Sequence, residues 1–205
     1  MSNIAIKGAA TGSGTFTLEA PATSTNRTLT LPDETGTIIT TASLPSIPNP
    51  LTSGTAVATT SGTAHDFTGI PSWVKRITVV LASVSTNGGS KLLFQLGTSG
   101  GVQTSGYLGA STYIGGPPLT SNFSNGFSTA YDGGADIAHG LATFCLLNSA
   151  TGLWAMNHTM GHSNETYTYV GGGSKTLSGT LDRLRFTTAN GTDTFDSGSI
   201  NIMYE

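Results

Sequence analysis

The apolar residues of this chain recur at alternate positions in short runs, and no stretch of 12 residues carries a helical period. Alternation at period two is the pattern of a β-strand with one buried face. Gly and Pro separate the runs, and many polar positions are Ser, Thr or Asn, which favour strands and turns over helices. The sequence therefore predicts an all-β protein.

Charge is sparse along the whole sequence. Charged residues make up 9% of it, against about a quarter in ordinary soluble domains. The eight Lys and Arg are scattered from Lys7 to Arg185, whereas nucleic-acid binding needs clustered positive charge. Nucleic acid is therefore not an expected partner. No apolar segment of 18 residues occurs, so no membrane insertion is expected.

The N-terminal part, 1–53, is predicted to be an extended β arm that ends in a proline-rich linker. Its strand-like runs carry alternating apolar residues: Phe16, Leu18, Leu29, Leu31 and Ile38. Runs this short cannot bury a core alone, because even a two-stranded hairpin is marginal in water. The arm must lean on the rest of the chain or on copies of itself, so these residues are predicted to mediate oligomerisation.

The remainder, 54–205, is predicted to be a separate domain with about eight strands. Its strongest strand, Val74–Val84, has apolar residues on both faces, which predicts a central strand buried on both sides. A turn at 85–89 would join it to a strand at 90–96 as a hairpin. Strands are also expected at 141–147, with a buried Cys145, and at 153–160.

The end of the chain is predicted to form a second hairpin. Asn190-Gly191 is a type I′ turn signal, and its register would set Phe186 opposite Phe195 and Arg185 opposite Asp196. A short strand at 167–170 would end at the glycines of 171–174. Strands at this spacing imply an antiparallel β-sandwich, jelly-roll-like in arrangement.

Three motifs follow one another in the arm: LEAP at 18–21, NRTLTLP at 26–32 and GTI at 36–38. This order resembles a segment of tail-fibre and related fibrous virion proteins of tailed bacteriophages. The run 177–205, FTGIPS at 67–72 and RITV at 76–79 resemble the C-terminal part of phage tail-associated proteins. Residues 97–137 carry little of the likeness.

The resemblance implies a virion protein that is assembled in the host cytoplasm. It implies a homotrimer whose arms attach to other virion proteins, and a C-terminal domain that binds a bacterial surface glycan or receptor. A tail-fibre or tail-tip component is the favoured interpretation. The alternatives are a capsid decoration or head-fibre protein and, second, a polysaccharide depolymerase.

Candidate glycan-binding residues lie in the Gly-rich middle of the domain: Tyr107, Tyr113, Tyr131 and Asp132. A tyrosine ring can stack on the apolar C–H face of a sugar while a carboxylate accepts hydrogen bonds from its hydroxyls. The alternative is that these rings pack inside the domain or at a subunit interface. Trp73 and Trp154 are expected in the core.

No catalytic residue is predicted among the carboxylates. Glycoside hydrolysis uses two carboxyl groups roughly 5–10 Å apart, one with a raised pKa. Asp132 and Asp136 flank a Gly-Gly pair, and Asp193 and Asp196 lie by a turn. These aspartates are interpreted as solvated or turn-forming.

No metal, cofactor or nucleophile is predicted from the histidines. His158 and His162 would lie about 13 Å apart along a strand, too far to share one ion, and His158 is expected to pack beside Trp154. His65 and Asp66 are adjacent in sequence and would point to opposite faces of a strand.

Overall fold

The computed structural model describes residues 51–115, 120–130 and 133–205, together with 11, 22 and 24–26. The chain divides into two compact units, Met1–Ser46 and Ile47–Glu205. The predicted arm residues Phe16, Leu18, Leu29, Leu31 and Ile38 lie outside the described residues. In the second unit the first strand precedes residue 54, the predicted start of the domain.

The described residues contain strands and no helix, which confirms the all-β prediction. The strands are β1 Thr52–Ser53, β2 Val57–Ala58, β3 Ala64–Thr68, β4 Arg76–Thr86, β5 Leu92–Thr98, β6 Gly101–Val102, β7 Tyr107–Ile114, β8 Thr120–Asn122, β9 Phe127–Ser128, β10 Ala138–Asn148, β11 Leu153–His162, β12 Thr168–Thr176, β13 Arg183–Thr188 and β14 Phe195–Tyr204.

These strands form two antiparallel sheets. The nine-stranded sheet has the order β1-β14-β4-β10-β11-β12-β7-β8, with β2 also paired to β14. The five-stranded sheet has the order β3-β13-β5-β6, with β9 also paired to β5. One hydrophobic core contains buried side chains from both sheets, so the sheets pack face to face. More and shorter strands are present than the eight expected.

Phenylalanine rings from both sheets meet at the centre of this core. The Phe94 ring lies 5.1 Å from Phe186 on the next strand and 5.8 Å from Phe144 on the opposite sheet. Phe186 in turn lies 5.0 Å from Phe195 across the sheets. Aromatic pairs of this kind contribute about 0.5–1.5 kcal/mol each beyond their buried area, so they stabilise the packing of one sheet on the other.

Strand β4 is central, as predicted, because β14 and β10 flank it. Its predicted burial on both sides is wrong. Ile77, Val79 and Leu81 are buried in the core, whereas Val80 is half-buried and Ala82 is exposed on the other face. The nine-stranded sheet is thus covered on one side only within the described residues.

A bulge near the end of β4 changes which residues face inward. Ser83 has a positive φ of 56°, and the β4–β14 register shifts around Ser197. Val84 is two residues after Ala82, so regular alternation would place both on the exposed face. Because of the bulge, Val84 lies in the core instead. A bulge inserts one residue and reverses the alternation beyond it.

The buried position predicted for Cys145 is also wrong. Phe144 and Ala142 take the inward positions of β10, and a strand's alternation then sends Cys145 outward. Its side chain is exposed.

Both predicted hairpins are connections between the two sheets. β4 and β14 belong to the nine-stranded sheet, whereas β5 and β13 belong to the five-stranded one. Arg185 therefore pairs with Asp66 of β3 and not with Asp196. The expected contact between Phe186 and Phe195 exists, but it spans the core.

The two connections lie side by side and share hydrogen bonds. Asn87 N–H donates to Thr194 O at 2.9 Å, and Ser90 N–H donates to the Asp193 carboxylate at 2.9 Å. At the expected type I′ turn only Gly191 has a positive φ, whereas that turn needs two such residues. Tertiary hydrogen bonding thus overrides the local turn signal.

The predicted break at residues 171–174 is wrong, because β12 runs through these glycines. A Cβ on Gly171 would lie 2.5 Å from His158 Nε2, and one on Gly173 would lie 2.8 Å from the Phe123 ring. The glycines continue the strand and leave space for buried neighbours.

Substitution of Gly198 by Ala tests the bulge. Gly198 has a φ of 92°, and an added Cβ would collide with the Ser83 backbone. We expect G198A to lower the free energy of unfolding by about 3 kcal/mol, through left-handed strain and overpacking together. Urea denaturation measures this loss.

Gly191→Ala is the matched control for that variant. Gly191 has a φ of 70° but no atom within 4 Å of an added Cβ, so strain alone should cost about 1–2 kcal/mol. Equal losses in the two variants would contradict the proposed close contact at the bulge.

Candidate functional site

Tyr107 is not available as a sugar-stacking residue. Its side chain is buried, and its hydroxyl donates to Gln103 O at 2.8 Å and accepts from Leu96 N–H at 2.8 Å. Its ring contacts Phe127 edge-on at 4.8 Å, and burial raises its pKa. The predicted surface role of Tyr107 is therefore wrong. Its ring packs inside the domain, which was the alternative interpretation.

Tyr113 is half-buried in a small tyrosine group. Its ring centroid lies 5.0 Å from that of Tyr167 and 6.1 Å from that of Tyr169. Tyr131 and Asp132 lie outside the described residues. Of the four predicted site residues, the structure therefore places Tyr107 and Tyr113 on β7 and does not describe the other two.

Trp154 is buried in the core, as predicted, and Trp73 is partly buried against it. The Trp73 ring lies 5.9 Å from Tyr204. Both tryptophans therefore have structural neighbours.

A cleft of about 300 Å³ lies where three connections meet: the segment before β4, the β10–β11 turn and the segment after β12. Leu146 N–H donates to Lys75 O at 2.8 Å, and Leu177 N–H donates to Gly152 O at 3.0 Å. These backbone hydrogen bonds fix the connections to one another. Backbone hydrogen bonds at the ends of strands thus fix the walls of the cleft.

The cleft combines apolar side chains with hydroxyl groups. Its apolar lining includes Val74, Leu146, Trp154, Leu177 and Leu181. Its polar lining consists of Ser72, Lys75, Ser149, Thr151, Ser178 and Thr180. Ligand sites commonly have an apolar lining with a few polar groups that fix orientation. Hydroxyls both donate and accept hydrogen bonds, which suits a neutral, hydroxyl-rich ligand.

Sequence reasoning missed this cleft. Its residues come from three segments that are far apart in the chain, and only the fold brings them together. The turn residues at 148–152 and the hydroxyl-rich 178–180 were visible signals, but nothing in the sequence placed them beside residues 71–75.

A shallower depression of about 230 Å³ lies on the outside of the five-stranded sheet. Its polar side chains are already engaged. Gln95 Nε2 donates to Asn125 O at 2.7 Å, and Arg185 donates to both oxygens of Asp66 at 2.7 Å. This depression offers a ligand fewer free groups than the cleft does.

The described carboxylates mostly serve structural contacts. Asp193 accepts from Ser90 N–H and from the Asn190 side-chain amide at 2.6 Å, and Asp196 accepts from the Ser85 hydroxyl. Asp193 thus fits the turn-forming interpretation, whereas Asp196 lies on β14 and bonds Ser85 of the neighbouring strand. The Arg185 guanidinium beside Asp66 holds the pKa of that carboxyl below its usual value.

Asp136 lies near two side chains of the nine-stranded sheet. Its Oδ2 is 3.4 Å from His162 Nδ1 and 3.5 Å from the Tyr169 hydroxyl. No group of three His, Cys, Asp or Glu side chains that could hold a metal ion occurs in the described part of the chain.

His65 and Asp66 point to opposite faces of β3, as predicted. The His65 ring packs 4.9 Å from Phe195, and Asp66 bonds Arg185 on the other side. Burial lowers the pKa of His65. This arrangement does not form a catalytic dyad.

Comparison of the chain with protein-family models, curated proteins and solved structures found no match. Within residues 51–115, 120–130 and 133–205 there is no helix long and apolar enough to cross a membrane. A functional assignment must therefore come from the chain's own residues.

The buried His158 should make the protein sensitive to acid. Only 2% of His158 is exposed, and burial lowers its pKa to about 4. The unfolded chain, with an ordinary histidine pKa of about 6.5, binds a proton first as pH falls. We expect the free energy of unfolding to drop by about 2–3 kcal/mol between pH 7 and pH 4.5, as measured by urea denaturation.

His158→Met is the control, because methionine is similar in volume and does not titrate. Its free energy of unfolding should change by less than half as much over the same pH range. His65 contributes in the same direction in both proteins. An equal pH dependence in the two proteins would show that His158 is not its source.

Proposed function

We propose that this chain is a non-enzymatic structural protein of a bacteriophage particle, a tail-fibre or tail-tip component that attaches to the host surface. The observation that carries the proposal is the ordered set of motifs at 18–21, 26–32 and 36–38. The resemblance of residues 177–205 to the C-terminal part of phage tail-associated proteins supports the proposal independently. Low charge and two antiparallel sheets are compatible with a protein that works inside a large assembly.

In this proposal the two parts of the chain have different tasks. The arm holds copies of the chain together as a homotrimer and attaches them to other virion proteins. Its strand-like runs are too short to be stable without such partners. The C-terminal unit is jelly-roll-like and projects towards the cell.

The cleft is the proposed receptor site, and a bacterial surface glycan is its proposed ligand. Five side-chain hydroxyls line it, from Ser72, Ser149, Thr151, Ser178 and Thr180. Lys75 is the one charged side chain that the described residues contribute to the lining, so an acidic sugar would gain an ion pair there. Leu146, which is half-buried, supplies apolar surface.

Immunogold labelling of intact particles tests the location. Antibodies raised against the purified chain should decorate tails and leave the heads unlabelled. Labelled capsids would instead support a decoration or head-fibre protein, and particles without label would contradict a virion role altogether.

A release assay tests the non-enzymatic part of the proposal. Purified protein incubated with host polysaccharide should produce no new reducing ends above a heat-denatured control. Sustained release would replace the proposal with a depolymerase.

Thr180→Trp tests the cleft as the receptor site. Thr180 is exposed and lines the cleft, so a bulky indole should obstruct it without disturbing the core. We expect binding of the labelled protein to host cells to fall by about tenfold or more, with an unchanged thermal unfolding midpoint.

The matched control is Thr68→Trp, at a threonine on β3 that is also exposed and does not line the cleft. It should bind host cells as the parent chain does. Equal binding by the Thr180 variant and the parent would remove the cleft from the proposal without affecting the virion assignment.

A further inference from the structure

The outer face of the nine-stranded sheet, the side turned away from the five-stranded sheet, has no cover within the described residues. β14, β4, β10, β11, β12 and β7 all contribute to it. Leu141 of β10 lies opposite Val80 of β4 and Thr159 of β11 on this face. Strand alternation places every second residue of these six strands here.

Large apolar side chains project from this face. Leu108 is 69% exposed, Leu147 70%, Ile114 59% and Leu141 49%. These four are all but one of the large hydrophobic residues that the described chain leaves exposed. Leu141 and Leu147 lie on β10, Leu147 at the bulge near its end, while Leu108 and Ile114 lie on β7, three strands away. The exposed apolar side chains are therefore spread across the sheet, with small or polar residues such as Thr159 and Ser174 between them.

Charge is confined to one end of the outer face. The remaining side chains on it are mainly Thr, Ser, Asn, Ala and Val, as at Thr143 opposite Asn157. Among the described residues the charged pair Arg76 and Glu205 stands at its border, and the two pair with each other. A partner surface for this face therefore needs no charges to neutralise it. The same face of a second copy is also almost uncharged and meets that condition.

The area of the face matches the needs of a specific interface. At about 4.8 Å between strands and 3.3 Å per residue, the six long strands cover roughly 930 Å². A specific protein interface buries about 800 Å² on each partner. Two such sheets can pack face to face about 10 Å apart.

We propose that the outer face is a self-association surface, on which the same face of a second copy of this chain packs. The contact buries the exposed leucines and also Cys145, whose exposed side chain lies on β10 beside Arg76, at the charged end of the surface. This inference goes beyond the proposed function: a contact between two identical faces is two-fold, so it joins copies from different homotrimers and not the three copies of one.

The labelling rate of Cys145 measures whether the outer face is covered, since Cys145 is the only cysteine in the sequence. The full chain is treated with a small maleimide, and the labelling rate is compared with that of the urea-unfolded chain. Sedimentation velocity at the same concentration gives the oligomeric state. We expect the assembled wild type to react at least about tenfold more slowly than the double variant N157K/T159K.

The double variant places two like charges on exposed positions of β11, at the centre of the face. Its copies should repel, because like charges brought together at an interface oppose association. The control S61K/T68K adds the same charge at exposed positions outside the face and should keep Cys145 protected. If the double variant fails to fold, Leu147→Lys takes its place, on a side chain that is already exposed.

Three results would overturn the inference. One is rapid labelling of Cys145 in the wild type at every concentration at which it is oligomeric. Another is protection in a sedimenting monomer, which would mean that a segment of the same chain covers the face. The third is protection that survives the added lysines, which would place the contact elsewhere. None of these results bears on whether the chain is a virion protein.

Discussion

The packing of phenylalanine rings between the two sheets is the interaction on which the rest of the structure depends. Phe144 and Phe195 from the larger sheet meet Phe94 and Phe186 from the smaller one. The chain must cross between the sheets after β4 and again after β13 to bring these rings together. The adjacent connections share hydrogen bonds such as Asn87 with Thr194. The cleft lies at the other end of β4, where Leu146 N–H donates to Lys75 O.

The sequence predicted strand positions better than strand partners. Alternation located β4, β10 and β11 closely, since each has a repeating inward set such as Ile77, Val79 and Leu81. Pairing was predicted from local turn signals, and these failed at Asn190-Gly191 because distant residues hydrogen-bond the connection. Gly171–Gly173 were predicted to end the strand, because glycine often interrupts strands. A single sequence does not show that buried neighbours occupy the space that a side chain at these positions would need. Cys145 was predicted to be buried because its strand carries apolar residues on both faces. Such a strand does not show from sequence which face points inward.

The candidate site was less predictable than the fold. Tyr107 was chosen for its Gly-rich surroundings, yet its ring is buried and the nearby Gly109 lies against Phe123. The cleft gathers residues from three distant connections, and no periodicity marks them. What composition did indicate is a nearly neutral surface. The structure shows neutral surface in two forms: hydroxyls around the cleft, and exposed leucines across the outer face. The first suits a polar ligand and the second suits another protein surface.

A density map of the intact particle is the most direct test of these proposals. It should show several copies of the 47–205 unit at the tail, meeting in pairs through the outer faces of their larger sheets, with the clefts open towards solvent. A map that places the chain on the capsid shell, or lacks it, would contradict the proposed function. A map with the chain at the tail but with Leu141 and Leu147 facing solvent would contradict the self-association surface alone.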